Sequence, residues 1–413
     1  MDRRRLLKQS LALGGMAGLS ACAATPQRSM AGGVPIEDIP PPLPPIRAHI
    51  DRIFDVRCCL RPFRTIGPNL GTERMGDTLV VHNYGHGGSG WSLSWGSADI
   101  AVQKAMSVAP KQIAVVGCGI IGLTSALLAQ RAGANVTIYA REMLPRTRSV
   151  RANGSWTPDS RITLAAAAGP DFGALWERMA RYSWSTYRAY LGLPGRPVDF
   201  CDQYILSDEP RDAARADEAK DEAAVRARGA WTGPPDSSAD FGDYSDRIRD
   251  ITPGRQVLPP GVNPFPVKYA ARTSNMFFNF GAYGHLLLSD FFQAGGRFEA
   301  REFHHPSELA QLKEKVVINC PGYAAKDLWK DTHMVPVRGQ TGWLIPQPEV
   351  HYGISYNHVS VLSKSDGVMV QMFEGGDLKG YGDSMEVPNR AETERAVRII
   401  EALYARFPAP PAA

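Results

Sequence analysis

The chain has 413 residues, of which 44% are hydrophobic and 21% charged, values that are ordinary for a globular protein and sufficient for two sizeable lobes. Its formal net charge of +4 is small for this length and lies partly in the basic first eight residues, so composition gives no case for nucleic-acid binding. The six cysteines have irregular spacing that fits neither a disulfide framework nor a metal-binding pattern, and we predict no metal site.

The first 22 residues have the layout of a signal peptide, with a basic start, a modestly apolar run from Leu11 to Ala21 and small residues before a cut. The start resembles a twin-arginine export signal with Arg3 and Arg4 as the pair, and that route carries folded proteins. The string Leu-Ser-Ala-Cys ending at Cys22 resembles a lipobox, in which that cysteine is acylated. The alternative is an uncleaved anchor helix, but the apolar run is too short to span a bilayer. We therefore predict export to the periplasm, with Cys22 as a candidate membrane tether.

Residues 23–45 are rich in Pro, Gly and Ala, which predicts a stiff, extended linker and not a domain. The stretch Ile46–Phe54 is then interpreted as one or two helical turns. Further along, Thr78–Val81 is predicted as a strand, a glycine-rich loop follows it, and Trp91–Met106 can form a helix. This is a first strand–loop–helix unit.

The second such unit carries the strongest functional signal in the chain. A β-branched strand at Ile113–Val116 leads directly into Gly117-Cys-Gly-Ile-Ile-Gly122, and a helical pattern follows over Leu123–Ala132. A second strand at Asn135–Tyr139 precedes Glu142, which lies 20 residues beyond Gly122. This is the dinucleotide-binding fingerprint, in which glycines allow a tight turn and close approach of the backbone to a pyrophosphate. The motif alone leaves NAD and FAD open, whereas two glycine loops in one chain favour FAD.

Weaker patterns predict the remaining elements. A buried strand is expected from Val316, and short strands alternate with turns over Trp343–Met372. Helices are expected over 175–193, 283–294 and 391–406. The segment 211–228 is dense in alanine and charge, which indicates either a solvated helix or a mobile loop.

Several separate strings resemble the D-amino acid oxidase family, and together they extend from Arg57 to Arg406. Besides the fingerprint they are Arg61-Pro-Phe-Arg64, His82-Asn-Tyr-Gly-His-Gly-Gly-Ser-Gly90, Gly154-Ser-Trp-Thr-Pro158, Val317-Ile-Asn-Cys-Pro-Gly322 and Arg338-Gly-Gln-Thr341. The resemblance implies an α/β fold with a Rossmann-like FAD-binding domain and a mixed-sheet substrate-binding domain. We predict the division 1–22 signal peptide, 23–45 linker, 46–170 and 261–341 FAD-binding domain, and 171–260 and 342–406 substrate domain.

The order of these strings departs from that of the family. There the fingerprint strand opens the protein, and the arginine and His-Asn-Tyr-Gly-His segments close it. Here the segment 57–106 comes first and joins the fingerprint strand through residues 107–112. We interpret this order as a natural circular permutation, which a fold tolerates when its old termini lie close together. A scrambled gene model is the alternative.

The resemblance implies oxidative deamination, in which a hydride passes from the α-carbon of a D-amino acid to flavin and the product is a 2-oxo acid and ammonia. It implies that Arg61 binds the substrate carboxylate, a task suited to a planar, permanently charged guanidinium, whereas Arg64 is expected to point outward. It also implies that Tyr356 contacts that carboxylate and that Gly88 belongs to the catalytic loop. Ser360 stands where many members carry a second tyrosine, which indicates a wider or more polar pocket.

The same resemblance implies the residues that hold FAD non-covalently, while His82 and His86 are interpreted as structural. The cofactor-binding residues are Gly87, Gly88, Ser89, Gly90, Trp91, Ser92, Gly117, Gly119, Ile120, Ile121, Gly122, Arg141, Glu142, Arg148, Ser149, Asn153 and Gly154. The glycine loop and the helix after it would offer N–H groups and a positive helix end to the flavin.

Three alternatives remain open at this point. The chain could be an oxidase of glycine or another small amine, or a dehydrogenase that passes electrons to a quinone. It could also be a flavin-binding lipoprotein without turnover, if Ser360 marks a decayed site. The sequence does not specify the D-amino acid, the electron acceptor or the oligomeric state.

Overall fold

The computed structural model describes residues 30–31, 34–35 and 38–408. In chain order its strands are β1 (Met30–Ala31), β2 (Val34–Pro35), β3 (Ile53–Arg64), β4 (Thr72–Met75), β5 (Thr78–His82), β6 (Gln112–Val116), β7 (Asn135–Ala140), β8 (Val198–Ser207), β9 (Gln256–Leu258), β10 (Tyr269–Phe278), β11 (Arg297–Ala300), β12 (Val316–Asn319), β13 (Met334–Leu344), β14 (Tyr352–Tyr356), β15 (Val359–Lys364) and β16 (Gly367–Met372). Its α-helices are α1 (Gly90–Met106), α2 (Ile120–Arg131), α3 (Phe172–Tyr187), α4 (Arg211–Arg228), α5 (Phe280–Gln293), α6 (Ser307–Ala310), α7 (Ala325–Leu328) and α8 (Arg390–Tyr404).

The short β-branched strands build a six-stranded sheet in the order β11-β7-β6-β12-β5-β4. All neighbours are parallel except β4, which runs antiparallel to β5. The central strands are buried on both faces, as continuous apolar runs predict for a parallel sheet. Because parallel strands end at the same edge, the loops after β5, β6 and β12 meet there, which is where such sheets bind ligands.

The second sheet has eight strands in the order β3-β13-β16-β15-β14-β8-β10-β9 and is mostly antiparallel. Helix α8 covers one face, where Val397, Ile400 and Leu403 pack with sheet residues such as Val361 and Val370. The fold is therefore α/β with a parallel nucleotide-type sheet and a mixed sheet, as the sequence predicts.

Strand β3 is the largest departure from the predicted elements. Only Ile50–Arg52 forms a helical turn, and the chain then extends as a strand over Ile53–Arg64. This strand pairs antiparallel with β13 along nearly its whole length. Its polar and apolar residues do not alternate clearly enough to predict a strand from local sequence. The long-range pairing with β13 is what stabilises the extended conformation.

The two sheets divide the chain differently from the predicted domain boundaries. Helix α3, assigned to the substrate domain, packs with α1, and its Trp184 and Tyr187 belong to the apolar core beside the six-stranded sheet. Strands β3, β10 and β13, assigned at least in part to the FAD-binding domain, lie in the eight-stranded sheet. The chain therefore passes between the two lobes more often than the domain boundaries predicted from the sequence motifs.

The segment 57–106 is built into both sheets and is not a domain of its own. Val80 on β5, Val116 on β6 and Val317 on β12 lie in one sheet, and residues 107–111 make a short connection between α1 and β6. Pro44, near the start of the continuous stretch 38–408, and Tyr404, near its end, are also neighbours. The Tyr352 hydroxyl hydrogen-bonds both the Pro44 carbonyl and the Tyr404 hydroxyl, each at 2.7 Å.

The C-terminal end of the predicted linker is packed and not free. Pro40 is buried, Leu43 packs against the eight-stranded sheet, and Gln347 donates to the Pro45 carbonyl. The predicted signal peptide and Cys22 lie outside the described residues. Helix α4 is solvated, with no buried residue. Among the helices of the described chain, none has the length and apolarity needed to cross a bilayer.

Candidate active site

A cavity of about 570 Å³ lies between the carboxyl edge of the six-stranded sheet and the β3–β13 end of the eight-stranded sheet. The fingerprint glycines form its floor. A Cβ on Gly117 would lie 2.3 Å from the Cys320 carbonyl oxygen, and one on Gly122 would lie 2.0 Å from that of Gly117. No side chain fits at either position, so the start of α2 approaches β6 and β12 at backbone distance.

The polar groups at this end of the cavity suit a dinucleotide. The Ile120 N–H, at the start of α2, donates to the Ser149 hydroxyl at 3.0 Å. Asn83 Oδ1, His86 Nε2 and Thr147 Oγ1 are buried without a hydrogen-bond partner within the described protein, and all three residues line the cavity. Buried polar atoms normally have partners, so a polar group bound here would satisfy them. Together with the glycine floor, these atoms fit FAD.

The second glycine loop is fixed by contacts to two neighbouring segments. The Gly87 N–H donates to the Pro62 carbonyl at 2.9 Å, and the Gly88 N–H donates to the Ser160 carbonyl at 2.9 Å. A Cβ on Gly87 would lie 1.8 Å from the Arg161 carbonyl oxygen. These N–H groups are therefore engaged within the protein, in contrast to the expectation that the loop offers them to a ligand. The unpaired N–H groups at the start of α1 remain for that role.

Arg61 lies in the cavity, where no described residue gives it an anionic partner. Its guanidinium lies against Gly339, where any Cβ would be 2.6 Å from Nη1, and that nitrogen donates to the Arg338 carbonyl at 3.0 Å. Among the described residues, no carboxylate oxygen lies within 4.0 Å of it. A permanent positive charge in a cavity with unused donors is suited to bind an anion.

Arg64 was expected to point outward, and the structure corrects this. Its side chain is only 14% exposed and pairs with Asp331, itself 7% exposed, at 2.8 Å. Asp331 also accepts the Tyr84 hydroxyl at 3.0 Å. Residues three apart on a strand face opposite sides, so Arg64 turns away from the cavity into a buried ion pair.

The structure does not bring Tyr356 to the cavity. Its hydroxyl donates to Asp208 Oδ2 at 2.7 Å and accepts from Arg406 at 2.9 Å. Strand β14 lies four strands from β3, which at about 4.8 Å per strand is roughly 19 Å from Arg61. Ser360 lies on the next strand, opposite Gln371, which does line the cavity.

Most of the predicted cofactor-binding residues converge on the cavity. Those that line it are Gly87, Gly88, Gly90, Trp91, Gly117, Gly119, Ile120, Ile121, Gly122, Arg141, Glu142, Arg148, Ser149 and Asn153. The other three support it from behind. Ser89 donates to the Ser160 carbonyl at 3.0 Å, Ser92 accepts the Thr157 N–H at 2.8 Å, and the Gly154 carbonyl accepts the Phe278 N–H.

Both histidines are held as neutral, packed groups. Burial lowers the pKa of His86, which is 1% exposed, to about 3. Burial also lowers the pKa of His82, whose ring contacts Asn319 and Glu73 at 3.0 Å each. These surroundings agree with structural roles.

Sequence reasoning missed a charged group at the end of the cavity near Gly88. Asp159, Arg161 and Asp377 all line the cavity there. The guanidinium of Arg161 donates to the Asp377 carbonyl at 2.8 Å and the Gly376 carbonyl at 3.1 Å, and pairs with the Asp377 carboxylate at 3.1 Å. Asp159 directly follows the Gly154–Pro158 string, which was the available signal. That residues 159–161 lie beside Asp377 depends on tertiary structure and could not be predicted from the sequence.

Comparison with known proteins places the chain among flavoenzymes. Residues 112–413 match the family model described as DAO, FAD dependent oxidoreductase. The chain is 29% identical over 226 residues to a D-amino-acid oxidase of Rubrobacter xylanophilus, covering 55% of this chain and 57% of that protein. It is 27% identical over 240 residues to a D-amino-acid oxidase of Streptomyces coelicolor, covering 58% and 61%. The matched parts are thus about three-fifths of these relatives' lengths.

Solved structures that align with the chain do so at low TM-scores and share little sequence with it. The glycine oxidase of Geobacillus kaustophilus aligns with a TM-score of 0.41 and 14% identity, over 63% of this chain and 70% of that one. The L-proline dehydrogenase of P. horikoshii aligns with a TM-score of 0.43 and 12% identity, over 72% and 78%. On the strength of the family match over residues 112–413, the chain belongs to the DAO family of FAD-dependent oxidoreductases.

Proposed function

We propose that the protein catalyses FAD-dependent oxidative deamination of a D-amino acid to a 2-oxo acid and ammonia. The observation that supports this most is the guanidinium of Arg61, which lies in the cavity with no carboxylate within 4.0 Å among the described residues. The D-amino-acid oxidase names of the two relatives point the same way.

Arg61 is assigned to the substrate carboxylate. Its planar fork can make two parallel charge-assisted hydrogen bonds, which fix the position and the orientation of the α-carbon. Contact with Gly339 and the bond to the Arg338 carbonyl hold the guanidinium in place before substrate binds. Such preorganisation reduces the cost of ordering the side chain on binding.

The cofactor is assigned to the glycine floor and to the two helix starts. Gly117, Gly119 and Gly122 leave room for a pyrophosphate, and Glu142 at the end of β7 lies where a ribose is expected. FAD, when bound, supplies the acceptor for the hydride that leaves the substrate. The start of α1 places a positive helix end against the same cavity, which stabilises negative charge there.

Reduction of the bound flavin in the absence of air tests the proposal. The purified protein should be yellow and should bleach with at least one member of a panel of D-amino acids, while the matching L-amino acids leave the colour unchanged. Bleaching by glycine or sarcosine alone would assign a small-amine oxidase. A protein that bleaches but reoxidises only with a quinone is a dehydrogenase. A yellow protein that no amine bleaches would refute turnover.

We also propose that the chain is exported through a twin-arginine signal and lipidated at Cys22, on the basis of its first 22 residues. Replacing Arg3 and Arg4 with lysine should retain the protein in the cytoplasm, and Cys22→Ser should leave it exported but soluble. Unchanged export of the double-lysine variant would remove the twin-arginine assignment.

We further propose that the gene is a natural circular permutation. The family match begins at residue 112, where β6 starts, and Pro44 and Tyr404 both contact the Tyr352 hydroxyl. A rearranged gene that starts at residue 111, runs to 408 and continues through a short linker into 44–110 should give a soluble, yellow protein. An insoluble or colourless product would count against it.

A further inference from the structure

Asp159 lines the same cavity as Arg61, and among the described residues its carboxylate has no nearby cation. No Lys, Arg or His nitrogen within residues 38–408 lies within 4.0 Å of the Asp159 carboxylate. The segment is fixed in place because the Ser160 carbonyl accepts the Gly88 N–H at 2.9 Å. The neighbouring Gly87 N–H donates to the carbonyl of Pro62, the residue after Arg61. Asp159 and Arg61 therefore line one continuous part of the cavity.

The surroundings of Asp159 are acidic. Burial, together with the nearby carboxylates of Asp243 and Asp377, raises the pKa of Asp159 to about 6, and Asp243 is close enough to share a hydrogen bond with it. The pKa of Asp243 is lowered by a backbone hydrogen bond from Ser245, so this second carboxylate stays charged at neutral pH. A cation bound in the cavity beside Asp159 would offset this repulsion.

Arg161 does not supply that cation. Its side chain is 3% exposed. Its guanidinium makes two hydrogen bonds and one ion pair to Gly376 and Asp377, and these contacts hold the loop at residues 376–377. The same bonds make it a poor site for an acidic substrate side chain, which would have to break them. The free charge at this end of the cavity is therefore negative.

We propose that Asp159 determines specificity by binding a cationic substrate side chain, so that the enzyme prefers basic D-amino acids such as D-lysine, D-ornithine or D-arginine. This inference depends on the proposed function, because it assumes that Arg61 holds the α-carboxylate. The two opposite charges then bind the two ends of one substrate.

D-lysine and D-norleucine test the proposal because their side chains differ mainly by the terminal ammonium group. With the flavin-loaded full chain, kcat/KM for D-lysine should exceed that for D-norleucine at pH 7.5 by at least about tenfold, as expected for a desolvated charge pair. Equal values, or a preference for D-glutamate, would overturn the assignment. If neither substrate nor any other D-amino acid bleaches the flavin, it is the proposed function that fails.

Asp159→Asn provides the second test. It should lower kcat/KM for D-lysine by about 30-fold or more while leaving that for D-norleucine within about threefold. Flavin content and melting temperature report whether the variant folds. Asp246→Asn is the matched control, since Asp246 is 82% exposed and its one ion pair among residues 38–408 is with Arg249. An equal loss for both substrates would mean that Asp159 binds the α-ammonium or supports the fold, and would overturn the proposal.

Discussion

Replacing Arg61 with alanine should separate binding from stability. The structure gives this side chain one hydrogen bond, to the Arg338 carbonyl, and no ion pair within 4.0 Å among the described residues. Its loss should therefore cost about 1 kcal/mol of folding free energy or less. A substrate carboxylate left unpaired in the cavity should cost about 2–5 kcal/mol of binding, or roughly 30-fold to several thousand-fold in apparent affinity.

The assay is anaerobic flavin reduction over a range of substrate concentrations, together with thermal unfolding. Arg61→Ala should keep its flavin and its melting temperature within a few degrees, whereas its apparent Kd for substrate rises by the stated factor. Arg61→Lys should recover only part of the loss, because an ammonium cannot make the two-pronged contact.

Arg64→Ala is the matched control and should show the opposite pattern. It leaves Asp331 buried without its partner, which should cost about 3–5 kcal/mol of stability. Substrate affinity of the folded fraction should change little. If Arg64→Ala abolishes binding while Arg61→Ala has no effect, the assignment of the substrate carboxylate to Arg61 is refuted.

Three further outcomes are expected. Gly122→Ala places a Cβ 2.0 Å from the Gly117 carbonyl oxygen, so the variant should lose most of its bound flavin, which absorbance at the flavin band would show. Acid denaturation should release all yellow colour into the supernatant, because FAD is expected to be non-covalent; colour in the pellet would contradict this. Asp159 is charged above its pKa of about 6 and neutral below it, so the ratio of kcat/KM for D-lysine to that for D-norleucine should rise from pH 5 to pH 7.5, and a flat ratio would argue against a role for its charge.

Local pattern was enough to predict the nucleotide-type unit. The strand, glycines, helix and second strand between Ile113 and Glu142 form within 30 residues, and each part has its own signal. Arg61 also lies in the cavity as the resemblance implies. The nucleotide-type unit depends on short segments whose residues determine their own conformation, whereas the position of Arg61 came from the family resemblance alone.

The errors concern side-chain direction and long-range assembly. The direction of the Arg64 side chain was predicted wrongly. It depends on the chain being a strand at this point, and β3 becomes evident only from its pairing with β13. Tyr356 lies on a strand whose distance from β3 depends on the order of the whole sheet. The group formed by Asp159, Arg161 and Asp377 joins segments more than 200 residues apart, so its charge balance was not visible in the sequence.

The proximity of Pro44 and Tyr404 has a practical consequence. Residues 44–50 and α8 lie on one face of the eight-stranded sheet, whereas Gln371, whose neighbour Val370 packs toward α8, lines the cavity on the opposite face. Residues 44–50 and the end of α8 therefore lie on the side of the sheet that faces away from the cavity. A bulky group attached at an exposed position of this face, such as His49, should leave access to the cavity unobstructed.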